Sequence, residues 1–286
     1  MKWPCFVGSG PQRGIALIAV LWIVSALSVI VTGVVHSVRS EVRLVSVARQ
    51  STEAAALGEA AIMLVLQDMA ASGNRPAHLT KVEVSYQGQP MVVEVMPMTG
   101  LIDINRAPVA LLASLYGVAG GTDAKSAQTL AEATVQVRSE RDARGREVGF
   151  EAEQDLLRVP GVGYDLYARL SRLVTAQAQG SGRVNPQAAP EGVLRVLAGG
   201  DAVRATALAA ARDKNPADLD STVLNGEFLD NASSPRYRLQ ARVALADSGL
   251  VVVEHSVDLR PDFRLGLPWR IFHAEHWMQA PPAKGV

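Results

Sequence analysis

The residue types that carry hydrolytic, redox or metal chemistry are thinly scattered along this 286-residue chain. Its histidines, His36, His78, His255, His273 and His276, form no His-Glu-x-x-His pair of the kind that holds zinc on one helix face. His273 and His276 fall near the end of an extended segment and read as surface histidines. Cys5 is the one cysteine, so neither an internal disulfide nor a cysteine metal cluster is available. No Gly-x-Ser-x-Gly elbow or Cys–His arrangement is present, so hydrolytic chemistry has no candidate nucleophile, and the expectation is a protein that is not an enzyme. Asp213, Asp218 and Asp220 lack the spacing of a calcium-binding loop. They read as solvated loop charge, and calcium is the one ligand weighed where no cofactor is expected.

Two segments resemble phosphate sites in outline. Ala119-Gly-Gly-Thr-Asp-Ala-Lys-Ser126 has the length of a phosphate loop, but alanine stands at both required glycine positions, 119 and 124. Leu156-Leu-Arg-Val-Pro160-Gly161-Val-Gly163 reads as a helix-hairpin-helix turn, whose DNA-binding versions hold a phosphate on the amides that open the second helix. Asp165 falls in that first turn, where it repels an anion. Lysine plus arginine equals aspartate plus glutamate, so the chain also lacks a broad basic footprint. The expectation is no nucleic-acid partner. A membrane-anchored, competence-type DNA-binding protein stands as the alternative.

One junction does carry chemistry, done to the chain rather than by it. Gln12-Arg13-Gly14 directly precedes Ile15, and Ile15 to Val35 runs without a charge. Twenty-one helical residues span about 30 Å, the thickness of a bilayer's hydrocarbon core. The run exceeds the apolar core of a cleaved secretory signal, about 7–15 residues. A plain signal anchor is the competing reading and predicts no processing at Gly14. Lys2 and Arg13 on one side and Arg39, Arg43 and Arg49 on the other leave orientation open. A short polar leader ending in basic-Gly against such a helix resembles the type IV prepilin processing site. The resemblance implies cleavage between Gly14 and Ile15 by a prepilin peptidase at the cytoplasmic face, with Arg13 preceding the cut. Most pilins and pseudopilins carry glutamate at the fifth mature position, and here that position is Ala19. The absence is similar to the K-type minor pseudopilin of type II secretion.

Elements must position these features. Apolar residues at Leu44, Val47, Ala48, Ala54, Ala55, Ile62, Val65, Leu66 and Met69 continue one helix to about Ala71, where Ser72-Gly73-Asn74-Arg75-Pro76 ends it. Lys81 to Tyr86 and Met91 to Met96 alternate as a β-hairpin. Strand signals then vanish until Tyr237 to Leu245, Leu250 to Leu259 and Trp269 to Glu275. Arg138 to Glu147 reads as a mobile charged loop between helices. The split predicts an α+β fold: a long N-terminal transmembrane and pilin-type helix packed on a small antiparallel sheet, with an inserted all-α domain.

The insert repeats itself. Gly100-Leu-Ile-Asp103-Ile-Asn105-Arg-Ala-Pro108 aligns without gaps on Gly182-Arg-Val-Asn185-Pro-Gln-Ala-Ala-Pro190. Leu111, Leu112 and Leu115 then match Val193, Leu194 and Leu197. Each copy reads as a polar turn, a proline suited to a helix's first turn, and an apolar face. Asp and Asn suit the turn because their side chains bond nearby backbone amides. Together with the Val159-Pro-Gly-Val-Gly163 step, the repeat resembles the two SAM-like helical units of the GspK family, which writes the turn as apolar-Asn-apolar-Asn-Thr-Ala-Pro. Asp103 and Gln187 depart from that pattern, and neither copy has the threonine.

The expected organisation is a leader at 1–14, a transmembrane helix at 15–35 and a pilin-like helix with the first hairpin at 36–97. The inserted domain follows at 98–232, in units of about 98–180 and 181–232, then returning strands at 233–277 and a tail at 278–286. The resemblance implies a single-pass inner-membrane protein with a periplasmic C-terminal domain. Its implied partners are I- and J-type minor pseudopilins, other type II secretion components and the prepilin peptidase. Its implied role is starting pseudopilus assembly at the tip, for export of folded proteins across the outer membrane.

Overall fold

The computed structural model describes residues 13–216, 219–245, 249–261 and 266–279, with side chains except at 13–16 and 32–44. The expected leader residues 1–12 and tail residues 280–286 lie outside the described residues. The chain divides into two compact units, Met1–Glu53 and Ala54–Val286.

Helix α1 runs Arg13–Ser72. In the second unit its buried positions are Ala54, Ala55, Ala61, Ile62, Val65, Leu66 and Met69, recurring at three- and four-residue steps that keep them on one face. Gly58 belongs to this face because a Cβ there would stand 2.6 Å from the Val253 side chain of the sheet. Gly73, at φ +69°, ends the helix in the left-handed conformation that glycine adopts without penalty.

The sheet is antiparallel, in the order β1 (Thr80–Tyr86), β2 (Gln89–Pro97), β5 (Arg236–Ala244), β6 (Leu250–Asp258) and β7 (Arg270–Gln279). Gln87 and Gly88, both at positive φ, form a two-residue turn whose twist matches the strands, so β2 begins two residues before the expected Met91. Strand β7 continues to Gln279, past the expected end of the sheet at 277, because Gln279 still pairs with Leu250. Strand alternation divides the side chains. Val93 and Val95 of β2, Leu239, Ala241 and Val243 of β5, and Val251 and Val253 of β6 share one core with α1. The opposite face carries Arg236, Arg238 and Glu254.

Between β2 and β5 lies the insert. It holds α2 (Val109–Ser114), a π-helical turn (Leu115–Ala119), α3 (Ala124–Arg138), α4 (Tyr164–Leu170), α5 (Glu191–Leu197) and α6 (Ala202–Lys214), with short 3₁₀ turns. A parallel ladder of two residues each, β3 (Ile102–Asp103) and β4 (Val174–Thr175), supplements the helices. The two copies of the repeat share one core. Leu111, Leu112, Leu115, Val193, Leu194 and Leu197 all enter one core, which also takes in Met96 from the end of β2.

Candidate functional site

Arg13, Gly14 and Ile15 open α1, and their side chains lie outside those described. From Leu17 to Val31 the helix is apolar and bare. Leu17, Trp22 and Val29 are 73–75% exposed, and Ile18, Leu21, Ile23 and Val31 are also more than half exposed. Ala19 is exposed among them. Among the residues whose side chains are described, Leu17–Val31 is a shorter apolar stretch, and Val45–Ser72 is the segment long and apolar enough to span a bilayer. Its second half is instead the buried flank of the sheet, so its apolar residues are accounted for by the core.

The repeated turns are built alike. Asp103 Oδ1 accepts the Asn105 N–H at 2.9 Å, and Asn185 Oδ1 accepts the Gln187 N–H at 3.0 Å. The backbone follows suit, with Arg106 N–H donating to the Asp103 carbonyl and Ala188 N–H to that of Asn185, both at 3.1 Å. Pro108 and Pro190 sit at the N-cap, one residue before the helix, rather than in its first turn as expected. Both are extended, and their carbonyls receive the N–H groups of Leu111 and Leu112, and of Val193 and Leu194. Burial pushes the Asp103 carboxyl up, opposed by the Asn105 amide and by Arg106 and Arg138.

The turns also grip one another. A Cβ on Gly100 would stand 2.2 Å from the Ala188 carbonyl oxygen, and one on Gly182 would stand 2.2 Å from that of Arg106. Gly100 and Gly182 are equivalent in the repeat, as are Arg106 and Ala188, so the contact is reciprocal. The first residue of each copy lets the other's turn approach at backbone distance.

The two asparagines then diverge. Asn105 Nδ2 donates to the carbonyls of Phe150 (2.9 Å) and Ala176 (3.0 Å), while its Oδ1 accepts the Phe150 N–H at 2.8 Å. Asn185 Nδ2 donates to the Ala77 carbonyl at 3.1 Å, tying the insert to the segment before β1.

The hairpin glycines serve packing. Gly161, following Pro160, has φ +90°, and its position lies 3.0 Å from Leu130 of α3 when a Cβ is added. Gly163 is the N-cap of α4, and Asp165 stands in that first turn. At the 119–126 loop, Asp123 accepts from the N–H groups of Lys125 and Ser126, so the chain's own carboxylate occupies the place of an anion.

Asp213 lies on α6 rather than in a loop; it is exposed, and ion-paired with Lys81 (2.8 Å) and Arg212 (2.7 Å), while Asp220, also exposed, accepts from the N–H and hydroxyl of Thr222. Asp218 lies outside the described residues. Among the described residues no group of three or more His, Cys, Asp or Glu could hold a metal. In the charged segment after Arg138, which is largely exposed, Asp142 accepts from the backbone N–H groups of Arg144 and Arg146 and pairs with the Arg146 guanidinium at 2.9 Å. His255, which sequence reasoning did not place, is buried. Burial pushes its pKa down, and the Glu59 carboxylate opposes that. His273 and His276, three apart on β7, face opposite sides of the sheet.

One set of residues escaped sequence reasoning. Arg236, Arg238, Glu254 and Asp258 lie on the strand face that alternation assigns to solvent, yet all are buried under the insert. Arg236 pairs with Asp258 at 3.1 Å and donates to the Gln177 carbonyl. Arg238 lies between Glu254 (3.2 Å) and Glu153 (3.3 Å) of the insert. Burial raises the Glu254 carboxyl, opposed by Arg238. Beside this triad is a cleft of about 300 Å³ whose walls include Tyr167 and Trp277, with Arg172 stacked 4.9 Å above the indole.

No family model matches the sequence, and no curated protein matches it. Among solved structures, the chain is similar to one in the GspK-GspI-GspJ complex of the Type 2 Secretion System of enterotoxigenic Escherichia coli. That similarity has a TM-score of 0.47 and 14% identity, and covers 83% of this chain and 99% of that one. The fold itself is α+β: a long N-terminal helix, a five-stranded antiparallel sheet and a helical insert between its second and third strands.

Proposed function

We propose that the chain is a non-enzymatic minor pseudopilin of the K type, anchored in the inner membrane by α1 with its sheet and insert in the periplasm. The observation that carries this reading is the make-up of α1. One helix begins at the Arg13-Gly14-Ile15 junction, continues as a bare apolar segment, and ends as the packed flank of an antiparallel sheet. An apolar helix exposed on all sides needs a non-aqueous surrounding, which lipid and neighbouring helices supply. Cleavage after Gly14 frees the Ile15 amine, and I- and J-type pseudopilins pack against the helix. Ala19 leaves the subunit with no carboxylate to be matched by a neighbour's amine above it. That suits the extreme tip, where assembly of the pseudopilus starts.

The decisive experiment is intact mass of the full-length protein expressed with and without a prepilin peptidase. The expected mature chain begins at Ile15, and Gly14→Leu retains the leader because the side chain blocks the peptidase cleft. A mature N-terminus elsewhere, or none, replaces this reading with that of a plain signal anchor.

A further inference from the structure

Strand β7 ends the sheet, and among the described residues no strand pairs with its outer edge. From His273 to Gln279 it pairs with β6 without a break in register, and that stretch has neither proline nor lysine to guard the edge. Alternation gives it two sides. His273, Glu275 and Trp277 join the cleft beside Arg238, whereas His276 is opposite Val253 and Met278 opposite Val251, on the side of α1. The helix leaves this side of β7 uncovered: Ala274 and His276 are exposed, and Met278 is 60% exposed.

The cleft side is short of positive charge. Glu254 and Glu275 are directly opposite on neighbouring strands, a like-charge pair that destabilises a sheet. Burial raises the Glu254 carboxyl, Arg238 opposes that, and the Glu275 charge adds to it. Glu153 reaches in from the insert and shares Arg238 with Glu254. Burial and the Glu153 and Glu275 charges raise the Tyr167 hydroxyl, against Arg238. Arg172 lies over the Trp277 ring. Glu275 is left with the His273 imidazole at 3.6 Å, a counter-charge only when protonated. The Trp277 Nε1–H is buried in the same cleft and has no acceptor among the described residues.

We propose that β7 is a docking edge for an extended segment of a partner protein, which adds as a sixth strand and sets a lysine or arginine beside Glu275. The backbone of an open edge accepts any extended chain, and the side chains choose among them. A residue directly opposite Glu275 brings its Cβ within about 5 Å, so its cation stands next to the Glu254–Glu275 pair and relieves it. Two positions along on the same side, opposite Trp277, a serine or threonine supplies an oxygen for the Nε1–H. Apolar residues between these cover Ala274 and Met278 on the other side. An acidic residue opposite Glu275 is repelled, so the edge that permits pairing also restricts it.

The test uses the full chain in nonionic detergent micelles and a fluorescein-labelled, amidated peptide, Thr-Val-Thr-Val-Lys-Val-Thr-Val-Thr. Saturable binding is expected, about tenfold weaker when glutamate replaces the lysine, the swing from an opposite-charge to a like-charge cross-strand pair. Glu275→Gln should flatten that preference and Glu275→Lys should reverse it; the side chain is 48% exposed, so both variants fold. Two further peptides are N-methylated on alternate amides. The one methylated on the edge toward β7 should lose binding and the other keep it, which separates strand addition from capture of a lysine alone. The Trp277 indole N–H resonance, assigned with Trp277→Phe, should move on binding. Absence of saturation below about 1 mM overturns the proposal, as do equal affinities for the lysine and glutamate peptides or for the two N-methylated ones. Dimers of the chain alone that exclude the peptide assign the edge to a second copy and overturn it as well. Neither Gly14 nor Ala19 enters these measurements, so they are independent of the pseudopilin reading.

Discussion

Asp258 shows how single residues hold the sheet and insert together. Burial would raise its carboxyl, but hydrogen bonds from Arg260 and Arg236 and the Arg260 charge outweigh this and lower it to about 2. Between that value and its ordinary 3.8 the unfolded chain binds the proton and the folded one does not. The stabilisation is therefore complete above about pH 4 and is lost as pH falls through 2. Asp258→Asn should reduce stability near neutral pH by about 3 kcal/mol, because Arg236 is left buried without its counter-charge. It should also remove this residue's share of the acid loss. Urea denaturation of both proteins from pH 7 to pH 2 measures the two effects. Arg238 is likewise buried between two carboxylates, one from β6 and one from the insert, but there burial outweighs the charge and the Glu254 carboxyl is raised, so that pair does not share the acid loss of Asp258.

At the scale of elements, the repeated turn-helix unit sets the energetics of the insert. Leu112 and Leu194 occupy equivalent places and are wholly buried in the shared core, so each should lose about 2–5 kcal/mol on truncation to alanine. Gly100→Ala and Gly182→Ala should destabilise as well, since each new methyl meets a backbone carbonyl that has no side-chain freedom to yield. Thermal denaturation of the four variants checks this. Similar losses from the two leucines and from the two glycines are expected of a reciprocal contact, whereas negligible effects of both leucines contradict it. These elements also show what a sequence discloses. The turns were legible because Asp103 and Asn185 act within two residues of themselves, as did the helix periodicity and the β1–β2 hairpin. The union of both units in one core was not legible, because it depends on contacts more than eighty residues apart. Nor was the charged face of β5 and β6. Alternation tells which side chains share a face, but the cover over that face comes from another part of the chain. Asp142 is a smaller instance: the charged run is largely exposed, and yet one carboxylate in it gathers two backbone amides.

For the whole molecule, the proposed place at the tip makes a prediction about Ala19. Introducing glutamate there should place an unmatched carboxylate in the apolar segment, at a cost of about 2.5 kcal/mol or more on insertion scales. Ala19→Glu should therefore leave secretion unchanged or reduce it when it complements a strain lacking the protein. Removal of the corresponding glutamate from a major pseudopilin should impair filament assembly. If Ala19→Glu raised secretion and entered the filament shaft, the tip assignment would be wrong.

The register of β2 on β5 sets Pro97 opposite Tyr237, so the two ends of the insert stand one strand apart. Pairing those strands directly would mean closing a very long loop before any reward, and the entropy of closure grows with that length. An insert that collapses first around its own core brings the ends together and makes the effective loop short. The expected order is therefore that the insert folds before β2 pairs with β5. Until the insert closes, β2 waits with an open edge, the kind of template on which unfinished chains stick to one another. The helical insert is thus a clasp for the sheet during folding, and a variant with a weakened insert core should reveal itself first as aggregation of newly made chains.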